Sequence, residues 1–200
     1  MIPQLPLLTT LNPILIIGFI LLFIGAMVAP AYCWREKASV RRHRRYHNRA
    51  ERLLKKLPTL AGDAQRLSYL RRVNPYVFEE LLLLAMERQG LKIIRNASYS
   101  GDGGIDGQVF IEGQRWLIQA KRYSRAIDPA HVEAFSALLV QHRCGGLFIH
   151  TGRTGDKSRQ HASSNNNIPL YIISGQRLLA LVAGKPGWIN LKGKKDENFH

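Results

Sequence analysis

Three patterns of apolar and polar positions follow one another along this chain. The first is uninterrupted. Residues 1–34 hold no charged side chain, and residues 14–29, ILIIGFILLFIGAMVA, are wholly apolar or small. With Leu11, Ala31 and Tyr32 around it, this run approaches the ~20 residues that a helix needs to cross hydrocarbon. A buried helix of a water-soluble domain would show some polar face, and none is present. The second pattern has helical spacing. Phe78, Leu81, Leu82 and Ala85 form one stripe over residues 75–89, which open on Asn74 and Pro75 and close at Gly90. An asparagine cap followed by proline is a helix start, and glycine is the usual residue just past a helix end.

The third pattern has a period of two. Two extended runs flank Glu112 and Gly113, a pair suited to a two-residue hairpin loop. Counting outward from that turn sets Ile111 opposite Gln114, Val109 opposite Trp116 and Asp106 opposite Gln119. One face then carries Val109, Ile111, Trp116, Ile118 and Ala120, a core face. The other gathers Asp106, Gln119 and Lys121, with Phe110 and Leu117 beside them. A carboxylate, an amide oxygen and an ammonium converging next to a hydrophobic strand pair suit a divalent cation and a phosphate. The same alternation also describes the wet side of an ordinary hairpin.

Further elements complete the order. Asp63 is expected to cap a helix to about Val73, and residues 91–97 to form a strand before the glycine-rich stretch 100–104. Asp128 and Pro129 start a helix over residues 129–142, with Val132, Phe135, Leu138 and Leu139 on one side. Residues 145–151 read as a buried strand, followed by a short helix bearing Lys157, Arg159 and His161. A last strand at 169–173 and a helix at 176–182 follow, with a frayed tail from Gly184. This order predicts an α/β fold: an α/β/α sandwich around a mixed sheet, behind an N-terminal transmembrane helix. The expected divisions are a membrane segment at 1–34, a basic helix and linker at 35–73, a globular domain at 74–183 and a basic tail at 184–200.

Charge sharpens the picture. Of the net +15, +10 lies in residues 1–73 and +5 in residues 74–200. Ten Lys/Arg against two Glu occupy residues 35–56. Lys and Arg beside a span stay on the cytoplasmic side, so the bulk of the chain is expected to face the cytoplasm from a bacterial inner membrane. A neutral start argues against a cleaved signal, and Tyr32 before Cys33 argues against a lipoprotein. The basic stretch could hold anionic headgroups of a lipid bilayer or DNA phosphates, and the lipid role is favoured because the topology requirement already explains the charge. His43 and His47, set among arginines, are poor metal ligands. Cys33 and Cys144 have no CxxC spacing and give no disulfide framework.

Gly-Asp-Gly-Gly-Ile-Asp at 101–106, the hairpin, and Gln-Ala-Lys at 119–121 together resemble the nuclease domain of the Mrr-like restriction endonucleases, a branch of the PD-(D/E)XK superfamily with glutamine in place of the second acid. The resemblance covers roughly residues 74–162 and includes Phe78 and Glu79. It implies a restriction-endonuclease-like fold, DNA as substrate, and Mg²⁺ or Mn²⁺ as cofactor. It assigns the site to Glu79, Asp106, Gln119 and Lys121, with Asp106, Gln119 and Glu79 as metal ligands and the Ala120 carbonyl beside them. Lys121 would orient the attacking water or stabilise charge on phosphate. By position alone, Glu79 in the first helical turn is an acid at a helix N-terminus, a role Glu80 serves as well. Asp102 is a lesser metal candidate. A homodimer would supply two active sites for the two strands of a duplex. The alternative is an inactive nuclease fold tethering DNA at the membrane.

Overall fold

The computed structural model describes residues 13–96, 104–163 and 168–190. The chain divides into two compact units, Met1–Arg44 and Arg45–His200. Helix α1 spans Pro13–Lys56. In its upstream part the large apolar side chains are exposed, from Ile16 at 45% to Phe19 at 75%. Among the described residues no helix is long and apolar enough to cross a membrane. The expected transmembrane helix is therefore not found among the described residues.

The second unit is built on a five-stranded mixed sheet in the order β1-β2-β3-β4-β5. Its strands are β1 (Lys92–Arg95), β2 (Gly107–Ile111), β3 (Gln114–Lys121), β4 (Gly145–His150) and β5 (Leu170–Ile173). The first three are antiparallel neighbours, and β3, β4 and β5 run parallel. The helices are α2 (Asp63–Arg72), α3 (Pro75–Glu87), α4 (Pro129–His142), α5 (Asp156–Ser163) and α6 (Gly175–Val182). The element order from α3 onward is the expected one. Glu112 and Gly113 both have positive φ, 52° and 77°, as a tight hairpin loop requires. The β2–β3 register follows, with Val109 facing Trp116 and Ile111 facing Gln114.

Two cores sandwich the sheet. Val109, Ile111, Trp116, Ile118 and Ala120 pack with α3 and α6 in the larger one. Leu117 and Phe148 pack with Val132, Phe135 and Leu139 of α4 in the smaller. The polar face of the hairpin is therefore not a wet face: α4 and its neighbours cover part of it.

The larger core also takes Ala50, Leu53 and Leu54 from one stripe on the end of α1, and Leu57 from the 3₁₀ turn that follows it. The globular unit thus begins near Arg45, upstream of the expected start at 74. Glu80 of α3, only 4% exposed, fastens this helix end. It accepts from His47 Nδ1 at 2.8 Å and from Arg95 Nε at 2.9 Å, and Arg95 also grips Glu87 at 2.6 Å. A buried carboxylate is tolerated because two donors meet it.

Two smaller expectations change. Gly62 (φ 143°) holds the cap position of α2; Asp63 lies in its first turn and accepts from Arg66 and Gln176 instead. The tail does not fray at Gly184. Trp188 is buried, and its Nε1–H donates to Gln89 Oε1 at 2.9 Å. Residues 191–200 lie outside the described residues.

Candidate active site

Asp106 stands where the β2–β3 ladder ends. The last pair is Gly107 with Ile118, and the Asp106 N–H also turns to the Ile118 carbonyl at 2.8 Å. Two successive residues therefore face one, the arrangement of a bulge, which re-aims the side chain. Asp106 is thus not the simple cross-strand partner of Gln119 that counting predicts. Its Oδ2 instead accepts the Ala120 N–H at 2.6 Å, so the carboxylate is pinned to the backbone between Gln119 and Lys121.

Gln119 is 6% exposed. Its Nε2 donates to the Gly104 carbonyl at 2.7 Å, which fixes the amide orientation. The opposite end, Oε1, is buried with no hydrogen-bond partner among the described residues. A buried acceptor without a donor costs roughly 1–3 kcal/mol. The carboxylate of Asp106 is anchored on the backbone of the very next residue of the strand, Ala120.

Glu79 reaches the same place from α3. Asn74 Oδ1 accepts the Tyr76 N–H at 3.1 Å and Pro75 fixes the first helical residue. No acid lies in the first turn, so Glu79 belongs one turn further in. Burial, then the nearby Asp106 charge, push its carboxyl up to about 8, against the pull of Lys121 and Arg122. Burial likewise raises Asp106 to about 6, opposed by the Ala120 N–H and by Lys121. Glu79, Asp106 and Lys121 lie near enough to feel one another's charge, and Gln119 lies two residues before Lys121 on β3. Asp102 lies outside the described residues.

Sequence reasoning missed several supports. Arg122 donates to the Arg71 carbonyl at 3.2 Å, and Arg71 donates in turn to the Thr151 carbonyl at 3.0 Å. This buckle ties the end of α2 to the loops that follow β3 and β4. His150 is the β4 partner of Lys121 and is fully buried; burial lowers it to about 4, so its ring is neutral. Its Nδ1 accepts the Gly152 N–H at 3.1 Å. A histidine closing an all-apolar strand was the available signal.

Gly104 is the most exacting support. Its φ is +91°, and a Cβ there would come within 2.7 Å of Gln119 Nε2. Gly104→Ala is expected to displace the Gln119 amide and to strain the backbone by about 1 kcal/mol or more. Any metal-dependent nicking activity should fall at least about fivefold if a loss of that size falls on the transition state, while a thermal melt moves by only a few degrees.

Among the described residues no group of three or more His, Cys, Asp or Glu is arranged to hold a metal ion. The set here is different: two carboxylates and an amide oxygen, all hard oxygen donors. The unpartnered Gln119 Oε1 and two carboxyls raised by burial are what a divalent cation would relieve, so the residues fit one.

No curated protein matches the chain. A solved structure of the restriction endonuclease FokI is similar at TM-score 0.47 and 14% identity, over 73% of this chain and 32% of that one. The chain thus spans about a third of that protein's length, its 32% share. The Mrr_cat restriction endonuclease family model matches residues 70–182, more than half of the sequence and the whole of the sheet and site described above. This chain belongs to the Mrr-type restriction endonuclease family.

Proposed function

We propose that the protein is a divalent-metal-dependent endodeoxyribonuclease. The observation that carries this reading is the buried, partnerless Gln119 Oε1 on the strand whose next residue, Ala120, pins the Asp106 carboxylate through its N–H. Asp106, Gln119 and Glu79 would hold Mg²⁺ or Mn²⁺. The bound ion would supply Lewis-acid polarisation of the phosphate and a lowered pKa of water. Lys121 holds a positive charge at the mouth of this cluster, where it stabilises negative charge growing on the phosphate oxygens. Glu79 retains a proton at neutral pH and gives it up when a cation takes its place. Arg122, braced by the Arg71 carbonyl, offers its other N–H groups to a neighbouring phosphate.

The test is nicking of supercoiled plasmid by the full chain with Mg²⁺, with Mn²⁺ and with chelator. Cleavage only with metal is the expected result. Salt-sensitive, chelator-insensitive DNA binding without cleavage would instead favour a DNA tether.

The raised carboxyls set a pH dependence. With Glu79 near 8 and Asp106 near 6, cation binding at neutral pH displaces close to one proton. Affinity should climb from about pH 6 and level off above about pH 8; calorimetry in two buffers of unlike ionisation enthalpy counts the protons. The metal-free protein should behave in the opposite sense. Both carboxyls bind protons more tightly folded than unfolded, so stability falls as pH rises from the ordinary carboxylate range through 8. Added Mg²⁺ should restore it.

Membrane association belongs to this reading. The exposed apolar side chains over residues 16–28 and the basic residues after them support attachment to an anionic bilayer, with the nuclease unit in the cytoplasm. Retention in the pellet after alkaline carbonate extraction is the expected outcome, and release to the supernatant counts against it.

A further inference from the structure

A second concave site lies apart from the carboxylates, where the end of α1 meets α2 and the start of α3. It encloses about 300 Å³, the small end of ligand-sized cavities. Its floor is apolar: Leu53 and Val77 are 5% and 4% exposed. Its rim holds Arg49, Arg52 and Lys56, three cations on one face of α1, and no acid. Among the described residues none of the three pairs with a carboxylate. The acids nearby are engaged elsewhere: Glu51 holds Arg88 at 3.0 Å, and Asp63 holds Arg66 at 3.0 Å. Lys56 stands 4.7 Å from the centre of the Tyr69 ring. Asn74 spends its carbonyl oxygen on the Tyr76 N–H, which leaves its amide N–H groups to donate. Val77 and Glu79 are two apart on α3 and so face different sides of that helix.

Like charges gathered around a cleft repel one another, and an anion seated between them relieves that repulsion. The apolar floor adds a preference for an anion with a compact non-polar part. We propose that this cleft is a second, non-catalytic site that binds one phosphate ester with a small apolar body. That chemistry is met by a mononucleotide, whose base carries an apolar face; the glycerol phosphate of a lipid headgroup offers the phosphate on a polar diol. The proposal does not depend on the nuclease reading.

The test is isothermal titration of the full chain in non-ionic detergent, with chelator present so that no cation occupies the carboxylates. Three probes are compared: inorganic phosphate, adenosine 5′-monophosphate and sn-glycerol 3-phosphate. Adenosine 5′-monophosphate is expected to bind saturably and about tenfold more tightly than inorganic phosphate and than sn-glycerol 3-phosphate, from apolar area covered on the floor. Arg49→Gln with Arg52→Gln should weaken that binding at least about tenfold. Both arginines are exposed, so the pair leaves the core intact. Lys157→Gln, an exposed cation on α5, should leave binding unchanged. Three outcomes overturn the proposal: no saturable binding by any probe, unchanged affinity in the double variant, or equal weakening by Lys157→Gln. Weaker DNA binding in the double variant, with no heat from the small phosphates, also overturns it and gives these cations to DNA.

Discussion

Asp106→Asn and Lys121→Ala are each expected to lower Mg²⁺-dependent plasmid nicking by about a hundredfold to ten-thousandfold. The two variants should fail differently. Asp106→Asn keeps the shape that meets the Ala120 N–H but loses the charge that draws a cation, so metal binding by calorimetry falls with activity. Lys121→Ala leaves the oxygen donors in place, and metal binding persists while turnover is lost. Lys121 also restrains the carboxyl of Glu79, which burial already lifts to about 8. Removing it shifts residual activity to higher pH, a change that a merely structural lysine would not cause. Cleavage by the Asp106→Ala, Lys121→Ala double variant would end the nuclease reading.

A chain begun at residue 45 is expected to fold and to nick DNA, whereas one begun at residue 58 is expected to do neither. The second truncation removes Ala50, Leu53, Leu54 and Leu57 from the larger core. It also strips His47 from the buried Glu80. Truncating a single buried leucine costs about 2–5 kcal/mol, and whole domains are stable by only about 5–15 kcal/mol. Urea unfolding of the two proteins measures the difference. A shorter protein with an unshifted midpoint would show that the end of α1 adds nothing to the core.

The β2–β3 hairpin was legible because its rules are local. Glu112 and Gly113 fix the loop, and counting then fixes every partner to Gly107 and Ile118. The starts of α3 and α4 were legible for the same reason: Asn74 and Asp128 cap their own helices. Counting failed one residue further, at Asp106, because a bulge depends on what the strand does next and not on alternation. Glu79 and Glu80 are indistinguishable by type and position. Only the folded chain sends Glu80 toward His47 and Arg95 and Glu79 toward Asp106. The stripe Ala50, Leu53 and Leu54, with Leu57 after it, was present in the sequence, but the surrounding arginines drew attention to the polar side of the same helix. Gly104 could not be singled out among four glycines in 101–107, since its importance lies in a contact fifteen residues away.

The bonds that close the unit join distant parts of the polypeptide. Trp188 meets Gln89, and Gln176 meets Asp63, 99 and 113 positions apart. Pairings of such separation form late, after the entropy of a long loop has been overcome. On the ribosome the hairpin carrying Asp106 and Lys121 emerges well before Trp188 does. The nascent chain therefore holds Asp106 and Lys121 in an unfinished scaffold until Trp188 has emerged and docked on Gln89.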